Sequence, residues 1–251
     1  MRDILITGAS SGLGKALALN FANDHTTLHL TGRNLKRLQE VKKECERKFA
    51  KVEMKIIDVR DREKMHRYVS HLCKENHLDM IIANAGISGG TAKGLESDEQ
   101  VYEIFDTNLY GVLNTIQPAI PYFSKRKKGK ILIVSSLAGY IALPSCPAYS
   151  ASKAAVRFYG NALADVLKDR NVDVRVVSPG YIKTAMTAVN KFPMPFLMEP
   201  DEAAKLIEVK LEKSINPNIA FPWPMYYAIW FAGIISRKFM RYILRLLPRK
   251  S

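Results

Sequence analysis

Short apolar runs alternate with longer amphipathic stretches along most of this chain, and no other feature limits its fold as strongly. A brief, continuously apolar run reads as a strand covered on both faces, and the amphipathic stretch after it as a crossover helix. Strands are expected at 4–7, 27–31, 52–57, 80–83, 130–135, 172–177 and, with a weaker pattern, 219–221. Helices are expected at about 12–23, 34–49, 61–76, 98–124, 146–169 and 200–213. The pattern predicts an α/β fold, a doubly wound parallel sheet of about seven strands with helices on both faces. At 251 residues the chain suits one such domain with a real core.

Cys45, Cys73 and Cys146 are odd in number and widely spaced, which reads as reduced thiols rather than a disulfide framework. The five histidines form no cluster with metal-ligand spacing, so no metal is expected. The strand pattern starts at Ile4, leaving no room for a signal peptide, and the expected location is cytoplasmic. Net charge is +14. The run Lys125-Arg126-Lys127-Lys128-Gly129-Lys130 carries +5, and the acid-free segment 214–251 carries +6. Neither has the interleaved aromatics and glycines of a base-stacking platform, so nucleic acid is not an expected partner.

The first strand leads into Thr7-Gly8-Ala9-Ser10-Ser11-Gly12-Leu13-Gly14, which opens a helix. Glycines let backbone approach a pyrophosphate, and a helix N-terminus offers unpaired N–H groups and partial positive charge. Such a turn is also found as a plain tight connection. Where an NAD site usually places an acid against the ribose, this chain reads Leu30-Thr31-Gly32-Arg33. A small residue beside an arginine fork suits a 2′-phosphate, hence NADP(H); the bland alternative is that Arg33 only caps a solvated helix start. Asp58-Val59, Asn84-Ala85-Gly86, Ser135-Ser136 and Ser178-Pro179-Gly180 all close strands at carboxyl ends, where open α/β sheets bind ligands.

Tyr149 and Lys153 stand four apart on an expected helix and can face one cleft. A nearby cation would lower the phenol pKa and make Tyr149 a usable proton donor and acceptor. Taken alone the pair is weak. Asn108 falls inside the long helical stretch near Gly111, two poor helix formers together, and reads either as a kink or as a functional side chain turned inward.

In the order and spacing of Thr7-Gly8-x-x-x-Gly12-x-Gly14, Asn84-Ala85-Gly86, Asn108, Ser136, Tyr149-x-x-x-Lys153 and Pro179-Gly180 with Thr184, residues 1–215 resemble a short-chain dehydrogenase/reductase, a Rossmann-type family. The resemblance implies that Tyr149 transfers a proton, that Ser136 polarises the substrate oxygen, and that Lys153 binds the nicotinamide ribose and lowers the tyrosine pKa. It also implies that Asn108 anchors a water relay to Lys153. The catalytic set is then Asn108, Ser136, Tyr149 and Lys153. The cofactor set is Gly8, Ser10, Ser11, Gly12, Leu13, Gly14, Arg33, Asp58, Val59, Asn84, Ala85, Gly86, Tyr149, Lys153, Pro179, Gly180, Ile182 and Thr184. Ala83 and Ser178 replace residues that are often Asn in the family.

The catalytic domain is assigned to 1–215 with a substrate lid at about 184–200, and 216–251 to an apolar and basic C-terminal segment. Met194, Met198 and the lid phenylalanines suit an adaptable apolar pocket, or ordinary packing. Pro217, Pro222 and Pro224 are expected to break any helix there, leaving 225–235, too short to span a bilayer. On a helical wheel 237–249 separates a basic arc from an apolar one. That fits a helix on an anionic membrane surface, at the inner face, or one covering a homodimer or homotetramer interface or the substrate pocket. The function expected is NADP(H)-dependent oxidoreduction of a lipophilic carbonyl or alcohol; the alternative is a non-catalytic NADPH-binding module acting through its tail.

Overall fold

The computed structural model describes residues 2–75, 78–89, 95–190 and 192–234. The expected basic helix at 237–249 lies outside the described residues. Seven strands form one parallel sheet: β1 Arg2–Thr7, β2 Thr26–Gly32, β3 Lys51–Ile56, β4 Met80–Ala83, β5 Gly129–Val134, β6 Val172–Pro179 and β7 Asn218–Phe221. Their order is β3-β2-β1-β4-β5-β6-β7. The chain therefore winds outward in both directions from β1 and β4, and the crevice for a ligand opens at the carboxyl ends of that central pair. The weak seventh strand is real: Val176 to Pro179 pair with Asn218 to Phe221, so the sheet runs past residue 215.

The helices are α1 Gly12–Phe21, α2 Leu35–Glu46, α3 Arg62–Glu75, α4 Asp98–Phe105, α5 Gly111–Ile116, α6 Ile120–Arg126, α7 Pro147–Lys168, α8 Ala185–Ala188, α9 Pro200–Lys213 and α10 Trp223–Ile234; α1, α2, α3, α7 and α9 match expected stretches with small shifts in their ends, whereas α8 and α10 were not expected. On one face of the sheet Leu17, Leu38, Val41, Ala203 and Ile207 of α1, α2 and α9 pack on Ile4, Ile6 and Leu28. On the other, Met65, Val69, Val112, Val156 and Leu163 of α3, α5 and α7 pack on Leu5, Ile81 and Ile133. Alternate residues of β1 thus serve opposite layers, which is why its apolar run is unbroken.

Two expectations need correction. The single helix at 98–124 is divided. After α4 a π-helical turn at Asp106–Tyr110 inserts before α5, and a 3-10 turn at Gln117–Ala119 precedes α6. Pro118 cannot donate its nitrogen to an α-helical bond, which accounts for the second break. The π turn presents Asn108 inward and fully buried. The second correction concerns Pro222 and Pro224, which do not abolish helix: α10 begins at Trp223, and Pro224 falls in its first turn, where the missing N–H would have no helical partner.

Asn108 spends its carboxamide on the segment after β4. Its Oδ1 accepts from Ile87 N at 2.8 Å and its Nδ2 donates to Ile87 O at 2.9 Å and Ser152 Oγ at 3.1 Å. An Asn108→Ala chain leaves both Ile87 backbone groups without this partner, so urea unfolding should show a loss of about 1–3 kcal/mol. A loss below about 0.5 kcal/mol would mean the π turn is not held this way.

Candidate active site

The turn after β1 is built for close approach. Gly8 and Gly12 adopt φ of 67° and 54°, the left-handed region that favours glycine. A Cβ on Gly14 would stand 2.3 Å from Gly8 O and 2.5 Å from Asn84 Nδ2. Asn84 locks the turn to β4: its Nδ2 donates to Thr7 O at 3.0 Å, and Thr7 Oγ1 accepts from Asn84 N and Ala85 N at 3.1 and 3.2 Å. Ser11 begins α1 with no side-chain cap, leaving the helix N-terminus for a ligand anion. The turn faces a cavity of about 1390 Å³.

Every cofactor-side residue inferred from the sequence borders that one cavity, and so do Ser136, Tyr149 and Lys153. Asn108 does not; it sits behind the wall, with its Oδ1 and Lys153 Nζ flanking Gly86, 3.1 and 3.3 Å from where a Cβ would be. Its hydrogen bonds go to Ile87 and Ser152, so it braces the wall directly.

Ser136 follows β5 and starts a 3-10 turn at Leu137–Tyr140, where its Oγ accepts from Ala138 N at 3.1 Å. α7 begins with Pro147, and its Ala148 N donates to Glu96 Oε2 at 2.9 Å. Two further bonds pin α7 to the end of β5: Lys153 Nζ donates to Val134 O at 3.0 Å, and Ser135 Oγ donates to Lys153 O at 2.8 Å. Gly139 permits the contact, since a Cβ there would fall 2.8 Å from the Lys153 carbonyl. With α7 seated, Tyr149 hydrogen-bonds Ser136 on the cavity wall.

The electrostatics differ from the expected direction. Burial raises the Tyr149 pKa above the ordinary phenol value; the Ser136 hydrogen bond opposes it without reversing it. Lys153 is not among the groups that lower it. Lys153 itself is buried, 4% exposed, and burial brings its pKa down to about 8. At neutral pH such an amine is still mostly charged, yet the phenol stays above its ordinary value because burial is the larger influence.

At the far end of the cavity, Gly32 passes Ser10 closely and Arg33 follows, 54% exposed, with Nη1 4.0 Å from both Asp58 Oδ2 and Glu103 Oε1. Asp58 is held chiefly by Arg60, at 2.7 Å. Burial pushes the Asp58 carboxyl up, but the Arg60 hydrogen bonds and charge outweigh it and keep the pKa below the ordinary value. Arg37 also lines this end. The sequence reading passed over it, although it lies in the first turn of α2 only four residues after Arg33.

The opposite end of the cavity is walled by residues that carry no polar motif. Tyr181 and Phe192 meet edge to face at 6.0 Å, and Met225 and Ile229 of α10 complete the wall. The lid is tied at its base: Ile182 bridges Met198, Lys183 Nζ meets Glu199 at 2.8 Å, and Thr184 and Thr187 form a capping box at α8. A glycine cradle, an uncapped helix N-terminus and a basic far end fit a nicotinamide dinucleotide.

Residues 2–192 match the model of the short chain dehydrogenase family. An uncharacterized oxidoreductase of Myxococcus xanthus (strain DK1622) is 37% identical over 225 residues, covering 89% of this chain and 88% of that protein. A 3-oxoacyl-(acyl-carrier-protein) reductase of Thermotoga maritima is 33% identical over 214 residues, 81% of this chain and 87% of its own. The crystal structure of a short-chain type dehydrogenase/reductase from Mycobacterium marinum superposes with a TM-score of 0.79 at 27% identity, covering 88% of this chain and 93% of that one. This protein belongs to the short-chain dehydrogenase family, and it is an oxidoreductase built on that family's nucleotide-binding sheet.

Proposed function

We propose that this chain transfers hydride between NADP(H) and a lipophilic ketone, aldehyde or the corresponding alcohol, with Tyr149 exchanging the proton at oxygen. The observation that carries the reading is the meeting of the Ser136 and Tyr149 hydroxyls, one helical turn from the Lys153 amine, on the wall of the glycine-turn cavity. When bound, the reduced nicotinamide supplies the hydride. The raised phenol pKa keeps the proton on Tyr149 Oη through neutral pH, ready for a carbonyl oxygen that gains charge. Ser136 Oγ–H would donate to the same oxygen. Lys153, one turn later on the same helix, would hold the ribose, and Asn108, which braces the wall through Ile87 and Ser152, would anchor a water relay toward the amine.

Preference for NADP(H) rests on Arg33 and Arg37 beside Gly32, where a phosphate would draw Arg33 from its 4.0 Å partners Asp58 and Glu103. Preference for an apolar substrate rests on Tyr181, Phe192, Met225 and Ile229, and is supported by the Thermotoga relative, named for a 3-oxoacyl reduction.

A Tyr149→Phe enzyme should lose about 10²- to 10⁴-fold in kcat. Its NADPH affinity, by fluorescence titration, should stay within about threefold of wild type. Turnover near the wild-type rate would refute the proton-transfer role. Arg33→Ala should raise KM for NADPH about 10- to 100-fold while leaving NADH kinetics unchanged, as expected for loss of charge-assisted hydrogen bonds to a phosphate. Equal losses with both cofactors would contradict the NADP assignment.

A further inference from the structure

α10 contains no charged residue, and a helix apolar on every side ordinarily lies within a core or in lipid. Among the described residues, only one side of it is covered by protein. Met225 approaches Gly180, where a Cβ would stand 3.1 Å from its sulfur. Tyr226 packs edge-on against Tyr140 at 5.5 Å, and Ile229 joins the cavity wall. The opposite side presents Trp223, Tyr227, Trp230 and Phe231, which are 72, 59, 49 and 63% exposed. At the helical repeat these four fall within an arc of roughly 100°. Four large aromatics on one exposed arc form the kind of patch that marks a contact surface.

We propose that this face of α10 docks onto the surface of an anionic lipid bilayer. Tryptophan and tyrosine favour the headgroup region, where an apolar ring and a polar tip are both satisfied. No helix among the described residues is long and apolar enough to cross a membrane, and the proposed contact lays α10 along the surface, aromatic face down. Charge decides between occupants. The chain carries +14, and the sequence directly after α10 supplies Arg237, Lys238, Arg241, Arg245, Arg249 and Lys250 with no acid. A second copy of the chain on this face would bring like charge to like, whereas anionic headgroups are complementary.

The inner side of the same helix walls the substrate end of the cavity, so docking would set that wall beside the acyl-chain region and let an apolar ketone enter from the bilayer. This consequence rests on the oxidoreductase reading above; the docking itself does not.

The chain has two tryptophans, and both lie on the proposed face, so their emission reads α10 alone. The full chain is titrated with phosphatidylglycerol-containing vesicles and with pure phosphatidylcholine vesicles. The expected result is a blue shift, quenching by brominated acyl chains, and co-sedimentation at least about tenfold tighter on the anionic vesicles, weakened by added salt. A variant carrying Trp223→Ser, Tyr227→Ser, Trp230→Ser and Phe231→Ser should lose about tenfold or more in vesicle affinity while still binding NADPH. Tryptophan emission that ignores anionic vesicles overturns the proposal. So does self-association in vesicle-free buffer that buries these aromatics and is abolished in the variant. Should the variant fail to fold, the wild-type fluorescence still decides. No readout here uses turnover, so failed docking leaves the Tyr149 assignment standing, and an inactive protein that still binds vesicles sinks only that assignment.

Discussion

The site depends on the seating of α7 against the end of β5. Two hydrogen bonds run in opposite directions across that contact, Lys153 Nζ to Val134 O and Ser135 Oγ to Lys153 O. They fix the height and rotation of the helix, and Tyr149, one turn earlier, is brought to Ser136 as a result. Burying an amine here is costly: a fall from 10.5 to about 8 corresponds to something on the order of 3 kcal/mol against the charged form. Because the folded chain releases this proton before the unfolded chain does, the group's contribution to stability rises as pH climbs from about 8 toward 10.5. A purely structural contact would be better served by an apolar residue. Retaining a lysine at this depth points to chemistry, in keeping with the general tendency of strongly shifted groups to gather at functional sites.

Much of this was legible in the residue pattern. β4 and the inner stretches of β1 and β5, residues 4–6 and 131–134, are continuously apolar because both faces are covered, and the carboxyl ends carry the small and polar residues that line the cavity. The glycine turn was legible because the backbone conformations of Gly8 and Gly12 suit no other residue well. Asn108 stood out because asparagine and glycine are poor choices inside a long helix, and the π turn shows what that local instability achieves: a carboxamide aimed at Ile87.

What escaped the sequence reading was set by distant partners or by depth. Glu96 reaches the first turn of α7 from 52 residues away, and no spacing rule connects them. The direction of the Tyr149 shift depended on how far the phenol and amine are withdrawn from water, which a four-residue spacing does not report. Pro222 and Pro224 misled because a proline that ends one helix is equally at home in the first turn of another. α10 is consequently the element whose role emerged only from the fold. One side of it reaches the active-site cavity and Tyr140, and the other carries aromatics that the described residues leave exposed.

The direct test of this account is the titration of the Lys153 amine itself, followed by NMR in protein labelled at lysine nitrogen and assigned with a Lys153→Met variant. The buried, Val134-bound amine described above should lose its proton near pH 8. A midpoint at the ordinary lysine value, about 10.5, would place the amine in water and remove the pin on which the arrangement of Ser136 and Tyr149 depends.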